Sequence, residues 1–84
     1  MPAFKWAENA EAIYEKCISA TPFPFRKNTK NGLNDLLMEK FGEEEEITEA
    51  GIVEVIKENT PAAFLGLGMK AIAPLLSDPS LADY

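Results

Sequence analysis

The chain has 84 residues and carries eight basic residues against 14 acidic ones, for a formal net charge of −6. This length fits one small domain, and the acidic balance disfavours nonspecific binding to nucleic acid or to an anionic membrane. One cysteine and no histidine exclude an intramolecular disulfide, a self-contained thiolate metal site and a Ser-His or Cys-His nucleophile.

Hydrophobic spacing predicts a first amphipathic helix near residues 7–19. Its apolar positions recur at i, i+3, i+4, i+7 and i+8, with one further position a turn earlier: Ala10, Ile13, Tyr14, Cys17, Ile18 and Trp6. Residues 21–25 then break the helix, because each of the two prolines restricts the residue before it to extended geometry. We expect a stiff connector whose phenylalanines enter the core.

A second helix is predicted near residues 26–41, with Gly42 as its C-cap. A run of four acids, residues 43–46, follows it and reads as a solvated turn, since it lacks the ligand spacing of a calcium loop. The third helix is predicted near residues 49–58, with Thr48 as its N-cap. No segment shows a strand signal.

The fourth predicted helix spans residues 61–76, with Thr60 as its cap and Pro61 at its first position. Its only charge is Lys70, and it is too short to span a bilayer. The predicted fold is therefore all-α, a small three-helix bundle with an additional apolar C-terminal helix. Residues 1–76 form the single domain, and residues 77–84 form a flexible tail.

A basic cluster is the first candidate site. Arg26, Lys27 and Lys30 lie within five positions, at a helix N-terminus where the macrodipole disfavours cations. This placement indicates either a docking site for an anionic group or an ordinary solvated face paired with nearby acids. On the docking interpretation, replacing Arg26 and Lys30 with glutamine should leave stability unchanged or slightly raised.

The apolar C-terminal helix is the second candidate. Three short helices cannot easily cover it on all sides, so part of it should meet a protein partner or a second copy of the chain. The alternative is simple core packing. The residues predicted to supply the apolar contacts are Phe64, Leu65, Leu67, Met69 and Ile72. Cys17, on the apolar stripe of the first helix, is predicted to be a buried, inert thiol.

Several landmarks together resemble a known family. They are Trp6 with residues 10–13, the Pro-Phe connector leading to Phe25-Arg26, Gly42, and Ile47-Thr48. Over roughly residues 6–58 the chain resembles the small C-terminal helical domain of the B subunit of light-independent protochlorophyllide reductase. The resemblance implies a link to chlorophyll biosynthesis and to an oxidoreductase complex, but the iron–sulfur ligands and catalytic domains of that enzyme are absent from this chain.

The function expected is that of a non-catalytic accessory domain that docks an anionic group or a protein surface. In this hypothesis the basic cluster meets a propionate or an acidic surface. Two alternatives stay open: participation in tetrapyrrole reduction within a complex, and a small nucleic-acid binder. No catalytic residue, metal or cofactor is predicted for the isolated chain. The opening residues lack the apolar core of a signal peptide, and a cytoplasmic location is expected.

Overall fold

A computed structural model describes residues 3–83, and it is mostly helical. Four α-helices account for most of this part of the chain: α1 (Ala10–Ala20), α2 (Arg26–Lys40), α3 (Glu49–Asn59) and α4 (Ala62–Ile72). Three short 3-10 helices join or follow them, at Phe23–Phe25, Ala73–Leu75 and Pro79–Ala82. The coarse prediction of an all-α chain is confirmed.

A small sheet is the feature that the sequence did not predict. Strand β1 (Lys5–Trp6) pairs in parallel with β2 (Glu46–Ile47), so that Trp6 lies beside Ile47. The expectation of no strand is therefore wrong. Two residues are too few to show the alternation by which a strand is recognised. The pairing fixes the end of the acidic run and brings the N-terminal segment against the start of α3.

The sheet also shortens the first helix. The chain leaves β1 through Glu8, whose φ of 55° is left-handed, and α1 begins at Ala10 rather than near residue 7. A left-handed residue other than glycine is uncommon. Here the Glu8 carboxylate accepts a hydrogen bond of 3.1 Å from the backbone N–H of Glu49. That contact ties the first turn of α3 to the N-terminal segment.

The predicted caps of α2 and α3 are confirmed. Gly42 has a φ of 63°, and its backbone N–H reaches the carbonyls of Leu37 and Met38 at the end of α2. Thr48 accepts a hydrogen bond of 3.1 Å from the N–H of Gly51. The cap predicted for α4 is wrong, because the helix begins at Ala62 after Pro61 and no side chain caps it.

One hydrophobic core is shared by all four helices. Helix α3 packs on both α1 and α2, and α4 packs along α1. Three of the six residues predicted for the apolar stripe of α1 are buried and the other three are half-buried. Helix α3 adds four buried apolar residues, and α2 and α4 add two each. The buried apolar residues are Ala10, Ile13, Cys17, Leu33, Leu37, Ile47, Ile52, Val53, Val55, Ile56, Met69, Ile72 and Leu76.

The C-terminal segment is packed rather than free. The α-helix predicted to run to residue 76 ends at Ile72 and tightens into a 3-10 turn around Pro74, since proline cannot continue the ladder of hydrogen bonds. The flexible tail predicted from residue 77 is also wrong over residues 77–83. Leu81 and Ala82 pack on the core, and Lys57 donates a hydrogen bond to the carbonyl of Asp83. Tyr84 lies outside the described residues.

Candidate functional site

A largely apolar groove of about 520 Å³ lies between the end of α1, the connector before α2 and the start of α4. Pro22, Phe25, Pro61, Phe64 and Leu67 form much of its wall. We call it the apolar groove. None of the thirteen residues that line it is charged, in a chain of which 26% is charged.

Exposed apolar side chains cluster at this groove. Phe25, Phe64 and Leu67 are 55%, 50% and 70% exposed, and Phe23 in the same connector is 80% exposed. The connector phenylalanines were expected to enter the core, so that prediction is wrong. The 3-10 turn at Phe23–Phe25 directs the chain into α2 while both rings stay on the surface. Large apolar side chains clustered in this way are typical of an interaction surface.

The predicted interface on α4 divides into two groups. Phe64 and Leu67 are exposed at the groove, and Leu65 is half-buried against the core. Met69 and Ile72 are 2% and 0% exposed, so they belong to the core of the monomer and leave the predicted interface. The α-helical spacing directs residues 69 and 72 inward, onto α1. Residues 64 and 67 lie on a part of α4 that α1 does not cover.

The basic cluster is also divided. The Arg26 guanidinium donates to the carbonyls of Ser19 and Thr21 at 2.9 and 2.8 Å, and it lies 5.9 Å from the centre of the Phe23 ring. These carbonyls belong to the C-terminal end of α1, where the helix dipole favours a cation. These contacts give Arg26 a structural role. Replacing Arg26 and Lys30 together was expected to leave stability unchanged or slightly raised, whereas the contacts lead us to expect that the loss of Arg26 lowers stability.

The two lysines of the cluster differ in their exposure and in the concavities that they border. Lys27 is exposed. Lys30 is half-buried and lines a second concavity, described below. No ion pair joins either lysine to the neighbouring acids within residues 3–83, whose one salt bridge links Lys40 to Glu58 at 2.9 Å. The structure therefore does not show the ion pairs with nearby acids that were the alternative interpretation of the basic cluster.

Charge is segregated around the apolar groove. The chain segments that line it fall within residues 17–30 and 59–68, and neither segment contains a single Asp or Glu. Residues 17–30 carry three of the eight basic residues of the chain. All 14 acids lie elsewhere in the sequence. Taken together, the two segments that line the groove therefore hold basic residues and no acid, in a chain that is acidic as a whole.

The second concavity is a cleft of about 320 Å³ on the other side of α1. Phe4, Trp6 and Tyr14 form its aromatic wall, with the Trp6 ring centre 5.7 Å from that of Phe4 and 5.0 Å from that of Tyr14. Glu11 and Glu15 also line it. We call it the aromatic cleft. The Tyr14 hydroxyl donates to Asn34 Oδ1 at 2.6 Å, and burial raises the pKa of Tyr14.

The thiol of Cys17 and the grouping of possible metal ligands bear on whether the described residues hold a reactive site. Cys17 is 6% exposed on the wall of the apolar groove, and burial raises the pKa of its thiol to about 11. A thiol with this pKa stays protonated at neutral pH and is a poor nucleophile, as predicted for Cys17. No group of three His, Cys, Asp or Glu side chains in residues 3–83 could hold a metal ion.

The buried carboxylate of Glu49 was not found by sequence reasoning. It is 3% exposed and accepts hydrogen bonds from the N–H and hydroxyl of Ser77 at 2.7 and 2.9 Å. The Ser77 N–H is the main reason that the pKa of this carboxyl is lowered. Both oxygens are occupied, so Glu49 joins α3 to the C-terminal segment. Because Glu49 follows Thr48 in the first turn of α3, it read as an ordinary helix-start acid.

Comparison of the chain with protein-family models, with characterised proteins and with solved structures found no match. Within residues 3–83, no helix combines the length and the apolar character needed to cross a membrane. The geometry of the two concavities is therefore the basis on which function is argued.

Proposed function

We propose that this chain is a non-catalytic interaction domain whose apolar groove binds an amphipathic helix of a partner protein, with acidic residues beside the apolar face of that helix. The observation that carries the proposal is the pairing of an uncharged, apolar groove with flanking segments that hold basic residues and no acids. The proposal develops the docking domain expected from the sequence, and the composition of the groove and of its flanking segments supports a partner that carries acidic residues.

The apolar contacts supply the first argument. Phe25, Phe64 and Leu67 present exposed side chains around one groove. Aromatic and aliphatic side chains of this kind form the centres of helix-in-groove interfaces, where one helix lays its apolar face between others. Burying them on a partner removes apolar surface from water, which is worth about 25 cal/mol per Å² of area.

Charge complementarity supplies the second argument and selects the partner. A partner helix bordered by glutamate or aspartate meets Lys27, which has no ion-pair partner in the described residues. It also approaches the positive end of α2. A basic helix would gain nothing there, because no acid lies in the segments that line the groove. The same reasoning disfavours self-association of a chain with a net charge of −6.

The family resemblance suggests in which complex the partner protein is found. A domain that resembles the C-terminal part of a protochlorophyllide reductase subunit is proposed to bind within a tetrapyrrole-reducing complex. A second candidate function follows from the size of the groove. Its 520 Å³ lies within the range of small-molecule pockets, so the chain could shape a tetrapyrrole site while a partner supplies electrons.

Binding of designed peptides tests the first proposal. An 18-residue labelled helix with a leucine face and glutamate flanks is titrated with the protein and followed by fluorescence anisotropy, beside the same peptide with lysine flanks. We expect the acidic peptide to bind and the basic one to bind at least about tenfold more weakly, because the flanking charges decide the choice. Equal binding of the two peptides would contradict the proposed partner.

Two matched variants locate the binding. Leu67→Gln should weaken binding of the acidic peptide about tenfold, since Leu67 is the most exposed large hydrophobic side chain of the groove wall. Met38→Gln is the control, because Met38 is 40% exposed but lies outside the groove. If both variants lose binding alike, the peptide is not held in the groove.

A spectroscopic titration with protochlorophyllide separates the second candidate. A saturable absorbance shift at micromolar concentration that Leu67→Gln removes would favour a tetrapyrrole site. No shift, together with binding of the acidic peptide, would favour the protein partner.

A further inference from the structure

We propose that the aromatic cleft binds an organic cation of the quaternary or methylated ammonium class. The site is separate from the apolar groove and does not depend on the function proposed for it. It rests on three features of residues 3–83: three aromatic side chains along one wall, two carboxylates that line the cleft with them, and an open volume of about 320 Å³.

The ring geometry is the first step. The planes of Phe4 and Trp6 lie at 77° to each other, and the Trp6 and Tyr14 planes lie at 42°. The three rings are thus grouped around Trp6 without stacking flat, and all three line the cleft. Aromatic faces carry negative potential, and rings placed around a methylated ammonium attract it while burying its apolar methyl groups.

The support beneath the rings is the second step. Trp6 is held by the pairing of β1 with β2, in register with the buried Ile47. Tyr14 is held on α1 by its hydrogen bond of 2.6 Å to Asn34 on α2. Two of the three rings therefore keep their positions without a ligand, so that binding does not have to order them.

The charges at the rim are the third step. Glu11 and Glu15 lie one turn apart on α1, both are exposed, and both line the cleft. Lys30 lines it as well, but no ion pair within 4 Å joins it to either carboxylate in the described part of the chain. The three charged residues sum to −1. The cleft therefore favours a cation over an anion, and the lysine should weaken its binding.

The sequence contains its own reporter for the test, because Trp6 is the only tryptophan of the chain. The intact protein is titrated with choline chloride and followed by Trp6 fluorescence at constant ionic strength. The control probe is 3,3-dimethyl-1-butanol, which has the shape of choline without its charge. We expect a saturable change with choline and no saturable change with the neutral isostere.

Charge variants give opposite shifts if the site is as proposed. Glu11→Gln and Glu15→Gln should each weaken choline binding by about two- to fivefold, and Lys30→Gln should tighten it by a similar factor. All three changes lie at the rim, outside the core, so the fold is retained. A Trp6→Phe variant, followed by calorimetry, should retain weakened binding, because tryptophan is the strongest of the cation-binding rings.

Three results would overturn the proposal. They are a titration without saturation, an equal response to choline and to its neutral isostere, and a choline affinity that the three charge variants leave unchanged.

Discussion

Helix α4 is apolar apart from Lys70, but its apolar side chains have opposite surroundings in its two halves. In the second half, Met69 and Ile72 are buried against α1 and the C-terminal segment. In the first half, Phe64 and Leu67 are exposed at the apolar groove. The difference shows that apolar composition alone does not decide burial, because a side chain is covered only where the topology brings a neighbour to it.

The two ends of the molecule differ in the same way. At the buried end, Glu8, Glu49 and Ser77 form a chain of hydrogen bonds that joins the N-terminal segment, α3 and the C-terminal segment. At the groove end, Arg26 closes the end of α1, but the rings of Phe23 and Phe25 stay largely exposed. We infer that stability resides at the first end and binding at the second.

The largest effect is expected when a buried side chain in the second half of α4 is shortened. Ile72→Ala should lower the free energy of unfolding by about 2–5 kcal/mol, through lost apolar contact and the cavity left behind. Chemical denaturation measures the change. Leu67→Ala is the matched control on the same helix and should change stability by no more than about 0.5 kcal/mol. Similar losses for the two variants would remove the distinction between the halves.

Glu49→Gln tests the hydrogen bonds of the buried end. It should cost about 1–3 kcal/mol at neutral pH, because the charged acceptor of two hydrogen bonds from Ser77 is lost. Ser77→Ala removes only the hydroxyl donor and should cost less. Denaturation midpoints of the two variants measure the difference, and a Glu49→Gln protein as stable as the parent would show that this contact contributes nothing.

The stabilisation by the hydrogen bonds between Glu49 and Ser77 should decrease at acid pH. The pKa of Glu49 is lowered from its ordinary value of 4.5, so the folded state binds this proton less readily than the unfolded state. The stabilisation is therefore complete above pH 4.5 and is lost as the pH falls through the lower pKa of the folded protein. Unfolding measured from pH 7 to pH 3 should bring the parent and Glu49→Gln closer together on the acid side.

Arg26→Gln has a smaller expected effect, at the groove end. It should lower stability by about 0.5–1 kcal/mol, because two carbonyls at the end of α1 lose their donor. Lys27→Gln should leave stability unchanged or slightly raised, since a cation at the start of a helix opposes the dipole. Thermal unfolding of the two variants compares them directly. Equal effects would mean that Arg26 acts only as a surface charge.

Much of the helical framework could be predicted from the sequence, because periodic apolar stripes and strong caps are local signals. The stripes of α1 and α3, the stop at Gly42 and the cap at Thr48 all depend on residues within one or two turns of each other. The pairing of Trp6 with Ile47 joins residues about 40 positions apart, and no local pattern indicates it.

The candidate sites were harder to predict for the same reason. The roles of Arg26 and Glu49 depend on the direction in which distant backbone groups point, at the end of α1 and at Ser77. From the sequence, Glu49 read as an ordinary acid at a helix start, and Arg26 was assigned to the basic cluster as a candidate docking residue. One signal was available in the sequence and not used: residues 17–30 and 59–76 contain no acid in a strongly acidic chain. These stretches contribute the lining of the apolar groove.

The position of Cys17 allows occupancy of the apolar groove to be measured through the rate at which its thiol is alkylated. As the sole thiol of the chain, it sits 6% exposed on the groove wall and stays protonated at neutral pH. Alkylating reagents should therefore modify it slowly in the free protein, and more slowly still when an occupant shields it. Mass spectrometry of the intact chain would then measure the fraction of chains that carry one adduct. This fraction reports whether the apolar groove is occupied, and no label has to be attached beforehand.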